Sequence, residues 1–125
     1  MKTKKIVYVL KEKGTTFYRI GSTHSIEDRL KTLNQGNPRG MELFYSEEFD
    51  NHYVVNDMER KVQHIFSKYH HKDSWYNVPH ISEIEIGIKL KELRMKYDME
   101  QLKEKQNYER ELYWINEYRR IKSVA

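Results

Sequence analysis

The sequence predicts an α+β fold, in which a small three-stranded antiparallel sheet flanked by helices is followed by a long C-terminal helix. Four of the five glycines and both prolines fall within the first 80 residues, between short segments rich in β-forming residues. Beyond Ser82 only Gly87 interrupts a chain rich in Glu, Lys, Leu, Ile and Tyr, a composition typical of helix. We therefore expect one α+β domain over residues 1–80 and a long, charged helical extension over residues 81–125.

Three segments are predicted to be strands because they are rich in β-forming residues. They are Lys5–Leu10, Phe17–Ser22 and Glu42–Phe49. The residues between the first two, centred on Gly14, have the length of a hairpin loop. Ser74–Val78 is a fourth short, aromatic segment that Pro79 closes, and we do not count it as a strand of the sheet.

Two helices are predicted in the first domain. Ser25 is a candidate N-cap, with Asp28 at the position that completes a capping-box variant. The apolar residues Ile26, Leu30 and Leu33 then share one helical face, and the Asn-Gln-Gly-Asn-Pro segment at 34–38 ends the helix. The second helix is expected to begin at a cap on Asn56 or Asp57 and to run through Tyr69. Its expected buried side consists of Met58, Val62, Ile65, Phe66 and Tyr69.

The composition excludes some classes of function. No run of about 18 apolar residues is present, which excludes a predicted membrane span. The absence of cysteine excludes disulfides and thiolate metal sites and is consistent with the cytoplasm. The net charge of +4 and the pI near 9.1 favour a polyanionic partner only weakly.

Four residues are candidates for catalysis. Tyr8 and Tyr18 lie in the two strands of the predicted hairpin, where both are expected to face one side. Arg29 lies one turn into the first helix, and Glu59 is expected near the start of the second, where the helix dipole favours an ionised carboxylate. Each also has an ordinary structural explanation, since strand tyrosines usually pack and helical arginines are usually solvated. Their spacing makes the catalytic interpretation worth considering.

That spacing resembles the GIY-YIG nuclease superfamily, and in particular its small phage- and virus-borne branch. The similarity is carried by Val7-Tyr8-Val9, then Tyr18-Arg19-Ile20-Gly21-Ser22-Thr23, then Arg29-Leu30, the Leu33–Pro38 turn, Glu59 and the Trp75-Tyr76 pair. It covers about residues 5–80. Two departures stand out: the first motif reads Val-Tyr-Val, and Gln63 occupies the place of a histidine that often follows the glutamate, with His64 as its neighbour.

The resemblance implies an endonuclease that hydrolyses DNA phosphodiester bonds with one divalent metal, Mg²⁺ or Mn²⁺. In that mechanism Tyr8 takes the proton from the attacking water, and Tyr18 positions the water or shares the proton. Arg29 holds the phosphate through a planar bidentate donor, and Glu59 holds the metal. A phenol keeps its proton near neutral pH unless cations or metal-bound water lie close, so Arg29 and Arg19 are expected to supply that field.

The remaining site residues are expected to have supporting roles. Contacts to the DNA backbone are assigned to Arg19, Ser22, Lys31 and Arg39. Gly21 is expected to be glycine for a backbone reason, so that DNA or the start of the helix can approach closely. His64 and Asn77 are candidate auxiliary residues, although Asn77 is better explained as a turn residue before Pro79. Zinc binding by the adjacent His70 and His71 is a weak alternative.

The C-terminal segment is predicted to be one long helix from Ser82 to about Lys122, broken at most once. Ile86, Leu90, Leu93 and Tyr97 form a heptad-like apolar seam, which Tyr108, Leu112 and Ile115 resume after a polar stretch. The helix contains ten basic and nine acidic residues, so it is a poor candidate for a dedicated DNA-binding tail. We expect its first half to pack on the domain, whereas for its second half packing and coiled-coil pairing in a homodimer remain equal alternatives.

Three functions therefore remain open. The first is a metal-dependent DNA endonuclease of a mobile element or phage, acting in a bacterial or phage-infected cell or in another intracellular host compartment. The second is a catalytically inactive nucleic-acid-binding module on the same fold. The third is a protein-interaction or regulatory factor that acts through the long helix. Retention of all four candidate residues favours the enzyme.

Overall fold

The computed structural model describes residues 5–124, in the order β1 (Ile6–Glu12), β2 (Phe17–Thr23), α1 (Ile26–Gln35), β3 (Met41–Glu48), α2 (His52–Ile65), β4 (His70–Lys72), β5 (Trp75–Asn77) and α3 (Glu83–Val124). Short 3₁₀ turns at Ser67–Tyr69 and His80–Ser82 precede β4 and α3. The chain forms two compact units, one ending at Leu90 and one beginning at Lys91. The α+β prediction with a long C-terminal helix is confirmed.

The sheet is larger than the sequence predicts. It has five antiparallel strands in the order β3-β1-β2-β5-β4, rather than three. The two additional strands have three residues each and form a hairpin around Asp73, whose φ of 52° is tolerated by aspartate in a turn. Strand β5 pairs with the first three residues of β2, from Phe17 to Arg19. Strands this short show no alternating pattern, which is why the sequence did not reveal them.

The second helix begins earlier than predicted. Its N-cap is Asn51, whose side chain accepts a hydrogen bond from the Val54 amide at 3.0 Å, and not Asn56 or Asp57. The helix ends at Ile65 and not at Tyr69. This shift places Glu59 two turns inside the helix, so the dipole at the helix N-terminus does not act on it as the sequence predicted.

The sheet buries side chains on both of its faces. Directly paired residues point to the same face of an antiparallel sheet, and successive residues alternate. One face carries Tyr8 and Leu10 of β1 with Met41 of β3, and α1 covers it. Strands β1 and β2 contact α2 on the other face, where Val7, Val9 and Ile20 are buried. Both faces of the sheet contribute residues to the candidate active site at the end of β2.

Helix α3 is continuous over 42 residues, which confirms the single long helix. In the first unit its residues Ile86 and Leu90 are buried, as the predicted seam requires. In the second unit the resumed seam of Tyr108, Leu112 and Ile115 is exposed. Coiled-coil pairing through that second half stays a prediction. Among the described residues, no helix combines the length and the apolar character needed to cross a membrane.

Candidate active site

Tyr8 and Gly21 lie opposite each other in the β1–β2 ladder, and their contact organises the site. The Tyr8 side chain is only 2% exposed. A β-carbon built on Gly21 would overlap the Tyr8 hydroxyl and would lie 2.6 Å from Cζ of the ring. Gly21 is therefore required by the tyrosine that crosses it. The sequence predicted a requirement for glycine here, but assigned it to the approach of DNA or of the helix.

This close contact predicts that Gly21→Ala destabilises the protein by about 1–3 kcal/mol, the usual cost of overpacking a core. The matched control is Gly87→Ala, because a β-carbon at Gly87 meets no atom within 4 Å. Thermal unfolding should show a lower midpoint for the first variant and no loss for the second. Combining Gly21→Ala with Tyr8→Leu should cost less than the sum of the single changes, because the shortened side chain leaves the β-carbon room. Additive costs would contradict the contact.

Arg29 reaches the same phenol from helix α1. The helix is capped by Ser25, whose side chain accepts a hydrogen bond from the Asp28 amide, and Arg29 is its fourth residue. The Nε of Arg29 donates a hydrogen bond of 3.0 Å to the Tyr8 hydroxyl. A guanidinium has five N–H donors, so this contact leaves the two terminal amino groups for another acceptor. The hydroxyl accepts from Arg29, so its own proton points elsewhere.

Tyr18 does not join this pair. It lies opposite Lys11 in the ladder, three residues from Tyr8, so it occupies the other face of the sheet. The prediction that Tyr8 and Tyr18 face one side is therefore wrong. The Tyr18 ring packs edge-on against Phe44 at 5.1 Å between centroids. Burial raises the pKa of Tyr18, and its hydrogen bond to Glu83 raises that pKa further, so Tyr18 keeps its proton.

Arg19 is the β2 residue that shares the Tyr8 face. It pairs with Leu10, whose side chain lies in the same cluster as Tyr8. The guanidinium carbon of Arg19 lies 5.7 Å from the centre of the Trp75 ring, as expected for a cation–π pair. The sequence assigned Arg19 a contact to the DNA backbone and a share in the local positive field. Because side chains alternate between the two faces along a strand, counting back from Gly21 would have placed Arg19, and not Tyr18, on the face that carries Tyr8.

Glu59 approaches the end of β2 from the opposite side. The Ser22 hydroxyl donates a long hydrogen bond of 3.5 Å to Glu59 Oε2. The pKa of Tyr76 is raised mainly by burial and then by the negative charge of Glu59, which places this carboxylate near Tyr76 as well. Among residues 5–124 Glu59 takes part in no ion pair. Glu59 is half-buried, and its charge is not balanced by an ion pair with a described residue.

The end of β2 is an open edge of the sheet. Strand β5 pairs with β2 only as far as Arg19, so within the described chain the outer edge from Ile20 to Thr23 has no strand partner. A cavity of about 340 Å³ opens beside this edge. It is lined by Ser22, Thr23, His24, Asp28, Arg29 and Thr32. Arg29 and Ser22 thus line one cavity, although their partners Tyr8 and Glu59 lie on opposite faces of the sheet.

Four residues of that cavity were not predicted as site residues: Thr23, His24, Asp28 and Thr32. Asp28 and Thr32 are four residues apart and therefore lie on one side of α1, whereas His24 precedes the Ser25 cap. This spacing was the available signal. The Thr32 hydroxyl donates to the Asp28 carbonyl at 3.0 Å, so the Asp28 carboxylate is not engaged by it.

The other predicted site residues lie away from the Tyr8–Arg29 pair. Asn77 is opposite Phe17, four residues from Gly21 and therefore about 13 Å along the strand, and it accepts a hydrogen bond from Thr16. His64 is exposed and lines a separate cavity of about 490 Å³ that also includes Tyr76. Lys31 and Arg39 are exposed on α1 and in the turn that follows it. The zinc alternative at His70 and His71 gains no support, since the His70 ring bonds to the Asp73 carbonyl.

These residues could hold a divalent metal ion only together with oxygen atoms of the substrate. In the part of the chain that the structure describes, no group of three or more His, Asp or Glu side chains could hold a metal ion. Glu59 offers one carboxylate, and Ser22 one hydroxyl beside it. Mg²⁺ is commonly held by one or two carboxylates together with substrate phosphate oxygens and water. The residues present therefore fit an ion that substrate helps to bind.

Comparison with known proteins places this chain in a family. The model of the T5orf172 domain, a phage-associated domain related to GIY-YIG and HNH-like nuclease families, matches residues 5–125. Searches of the curated proteins and of the solved structures each found no match. The matched segment covers the sheet, α1, α2 and α3 together. The chain therefore belongs to the T5orf172 domain family.

Proposed function

We propose that this protein is a metal-dependent endonuclease of the GIY-YIG type that hydrolyses DNA phosphodiester bonds at the open end of β2. Family membership supports a nuclease or DNA-binding role. The observation that carries the finer proposal is the hydrogen bond from Arg29 to Tyr8 across Gly21. A buried tyrosine whose hydroxyl is hydrogen-bonded to an arginine that lines a cavity is suited to proton transfer beside a bound phosphate.

In this proposal Tyr8 and Arg29 act as a unit. The Tyr8 hydroxyl accepts a proton of the attacking water while it passes its own proton to solvent water, so the phenol is neutral before and after the step. Positioned acid–base groups of this kind contribute about 10²- to 10⁴-fold to a rate. Arg29 orients that oxygen through Nε, and its free amino groups bind two oxygens of the scissile phosphate. The cavity of about 340 Å³ beside them gives the phosphate and the water a place to enter.

Glu59 and Ser22 act at the same end of β2, on the face of the sheet opposite to Tyr8. Their side chains would hold Mg²⁺ or Mn²⁺ together with a phosphate oxygen. The bound ion would supply charge neutralisation at the leaving oxygen. Glu59 keeps its carboxylate near this point because it lies inside α2, which packs on β1 and β2. Tyr18 has no role in this mechanism, and Arg19 takes its place on the Tyr8 face.

DNA is proposed as the substrate, held mainly through its backbone. Arg19, Lys31 and Arg39 provide positive charge on or beside α1, on the side of the sheet that carries Arg29. Contacts of this kind give affinity without sequence preference and weaken as salt rises.

The test is the chemistry of the product ends. Purified protein with supercoiled plasmid and Mg²⁺ or Mn²⁺ should produce nicked circles that DNA ligase reseals without prior phosphatase or kinase treatment, because hydrolysis leaves a 5′-phosphate and a 3′-hydroxyl. A chelator should abolish nicking. Plasmid that is retarded on a gel but never nicked would instead support the binding module. Plasmid that is neither nicked nor retarded would support the protein-interaction factor.

A further inference from the structure

A second cavity on the α1 face adjoins the candidate active site. Its volume is about 480 Å³, within the usual range of about 300–1,000 Å³ for small-ligand sites. It is lined by Glu12, Arg19, Thr32, Leu33, Gly36, Asn37, Met41 and Trp75. Thr32 lines both cavities, so the two are adjacent along α1. Arg29 lines the first cavity, and the Arg19–Trp75 pair lines the second.

We propose that this second cavity binds one unpaired nucleobase of the DNA strand, stacked on the Arg19–Trp75 pair. The inference rests on the proposed function, since the nucleobase belongs to the DNA strand whose phosphate is bound at Arg29. Nucleobases stack on aromatic rings and on guanidinium planes, and both surfaces are present here, with 5.7 Å between guanidinium carbon and ring centre. A paired base inside a duplex could not reach the ring, so the substrate is locally single-stranded.

The polar end of the cavity determines which bases it accepts. The Asn37 side-chain amide donates a hydrogen bond of 2.9 Å to Glu12 Oε2, and the Asn37 oxygen accepts from the Arg39 amide at 2.9 Å. These bonds fix the Glu12 carboxylate at the wall, and among the described residues it forms no ion pair. A carboxylate accepts hydrogen bonds from the exocyclic amino group of cytosine, whereas thymine presents a carbonyl oxygen there. The cavity should therefore prefer bases with an amino group.

Gly36 allows the cavity to be blocked without disturbing the core. Its φ is −104°, which any residue adopts, and a β-carbon there meets no atom within 4 Å. A leucine at this position would fill part of the cavity that Gly36 lines. Gly87→Leu is the matched control, since Gly87 is equally open and lines a different cavity. Trp75 itself is a poor first target because it packs against the Tyr8 cluster.

The experiment measures binding of short oligonucleotides to the full chain in chelator, where no cleavage occurs. A Trp114→Phe background leaves Trp75 as the fluorescent reporter, because the chain has two tryptophans. A hexamer of dC should quench this fluorescence and bind more tightly than a hexamer of dT. Gly36→Leu should weaken dC binding at least about tenfold, in keeping with the loss of one stacked base. Gly87→Leu should not change it, and Glu12→Gln should reduce the preference for dC over dT.

Three results would overturn the proposal: no quenching by the dC hexamer, equal affinity for dC and dT, or unchanged dC affinity in Gly36→Leu. Because cleavage plays no part, this failure is separable from failure of the proposed function. Plasmid nicking, together with oligonucleotide binding that Gly36→Leu leaves unchanged, would rule out only the nucleobase site. Binding of the dC hexamer in the second cavity without plasmid nicking would rule out only the nuclease.

Discussion

Replacing Tyr8 with phenylalanine should lower the rate of DNA cleavage about 10²- to 10⁴-fold, whereas the same change at Tyr18 should leave the rate nearly unchanged. Both tyrosines are buried in neighbouring strands, at 2% and 1% exposure, so the two variants lose the same hydroxyl from comparable surroundings. They differ in the face of the sheet. Only the Tyr8 hydroxyl meets Arg29, while the Tyr18 hydroxyl bonds to Glu83.

The measurement for this pair is single-turnover cleavage beside thermal unfolding. Tyr18→Phe should cost about 0.5–1.5 kcal/mol of stability through its lost hydrogen bond, and that cost should appear in the unfolding midpoint and not in the cleavage rate. Tyr8→Phe keeps the ring that fills the space beside Gly21 and should remain folded. If Tyr18→Phe abolished cleavage while Tyr8→Phe did not, the assignment of the proton acceptor would be wrong.

Most of the fold could be predicted because it depends on local signals. The Ser25 cap and the Ile26, Leu30 and Leu33 face fixed α1, and β-forming residues marked the three longer strands. The β4–β5 hairpin could not be predicted in this way. Its strands have three residues each, and β5 is specified by pairing with β2, a contact between residues about 58 positions apart in the chain. Such tertiary contacts leave no periodic trace in a short segment.

The predicted start of α2 was wrong for a related reason. Asn51, Asn56 and Asp57 are all acceptable caps by residue type, and the residues between them include β-branched Val54 and Val55. Burial of Val55 against the sheet favours the earlier start, since a helix beginning at residue 57 would leave it outside. Only the packing of the helix distinguishes the caps.

The candidate site was predicted in part by spacing and corrected by strand register. Spacing identified Gly21 and Arg29, which the structure brings to Tyr8. The expectation that Tyr18 shares the Tyr8 face was wrong, because spacing alone does not determine whether Tyr18 or Arg19 lies there, and a shift of one residue in a strand exchanges the two faces of the sheet. The register Tyr8–Gly21 decides it in favour of Arg19.

The proposed role of Glu59 leads to the second large effect. Glu59→Gln keeps the size and the hydrogen bond from Ser22 but removes the charge that would hold the cation, so cleavage should fall about a thousandfold. DNA binding should persist, because the basic residues on the α1 side are untouched. Asp57→Asn is the matched control: it removes a carboxylate from the same helix, one that is exposed and paired with Lys61 at 3.0 Å. That variant should cleave like the wild type.

The most direct measurement is the rate at which supercoiled plasmid is nicked in millimolar Mg²⁺ by the wild type, Glu59→Gln and Asp57→Asn, each shown to be folded and to bind DNA. We expect nicking by the wild type and Asp57→Asn that a chelator abolishes, and almost none by Glu59→Gln. Equal nicking by all three proteins, or nicking that survives the chelator, would contradict a metal-dependent nuclease built on Tyr8, Arg29 and Glu59.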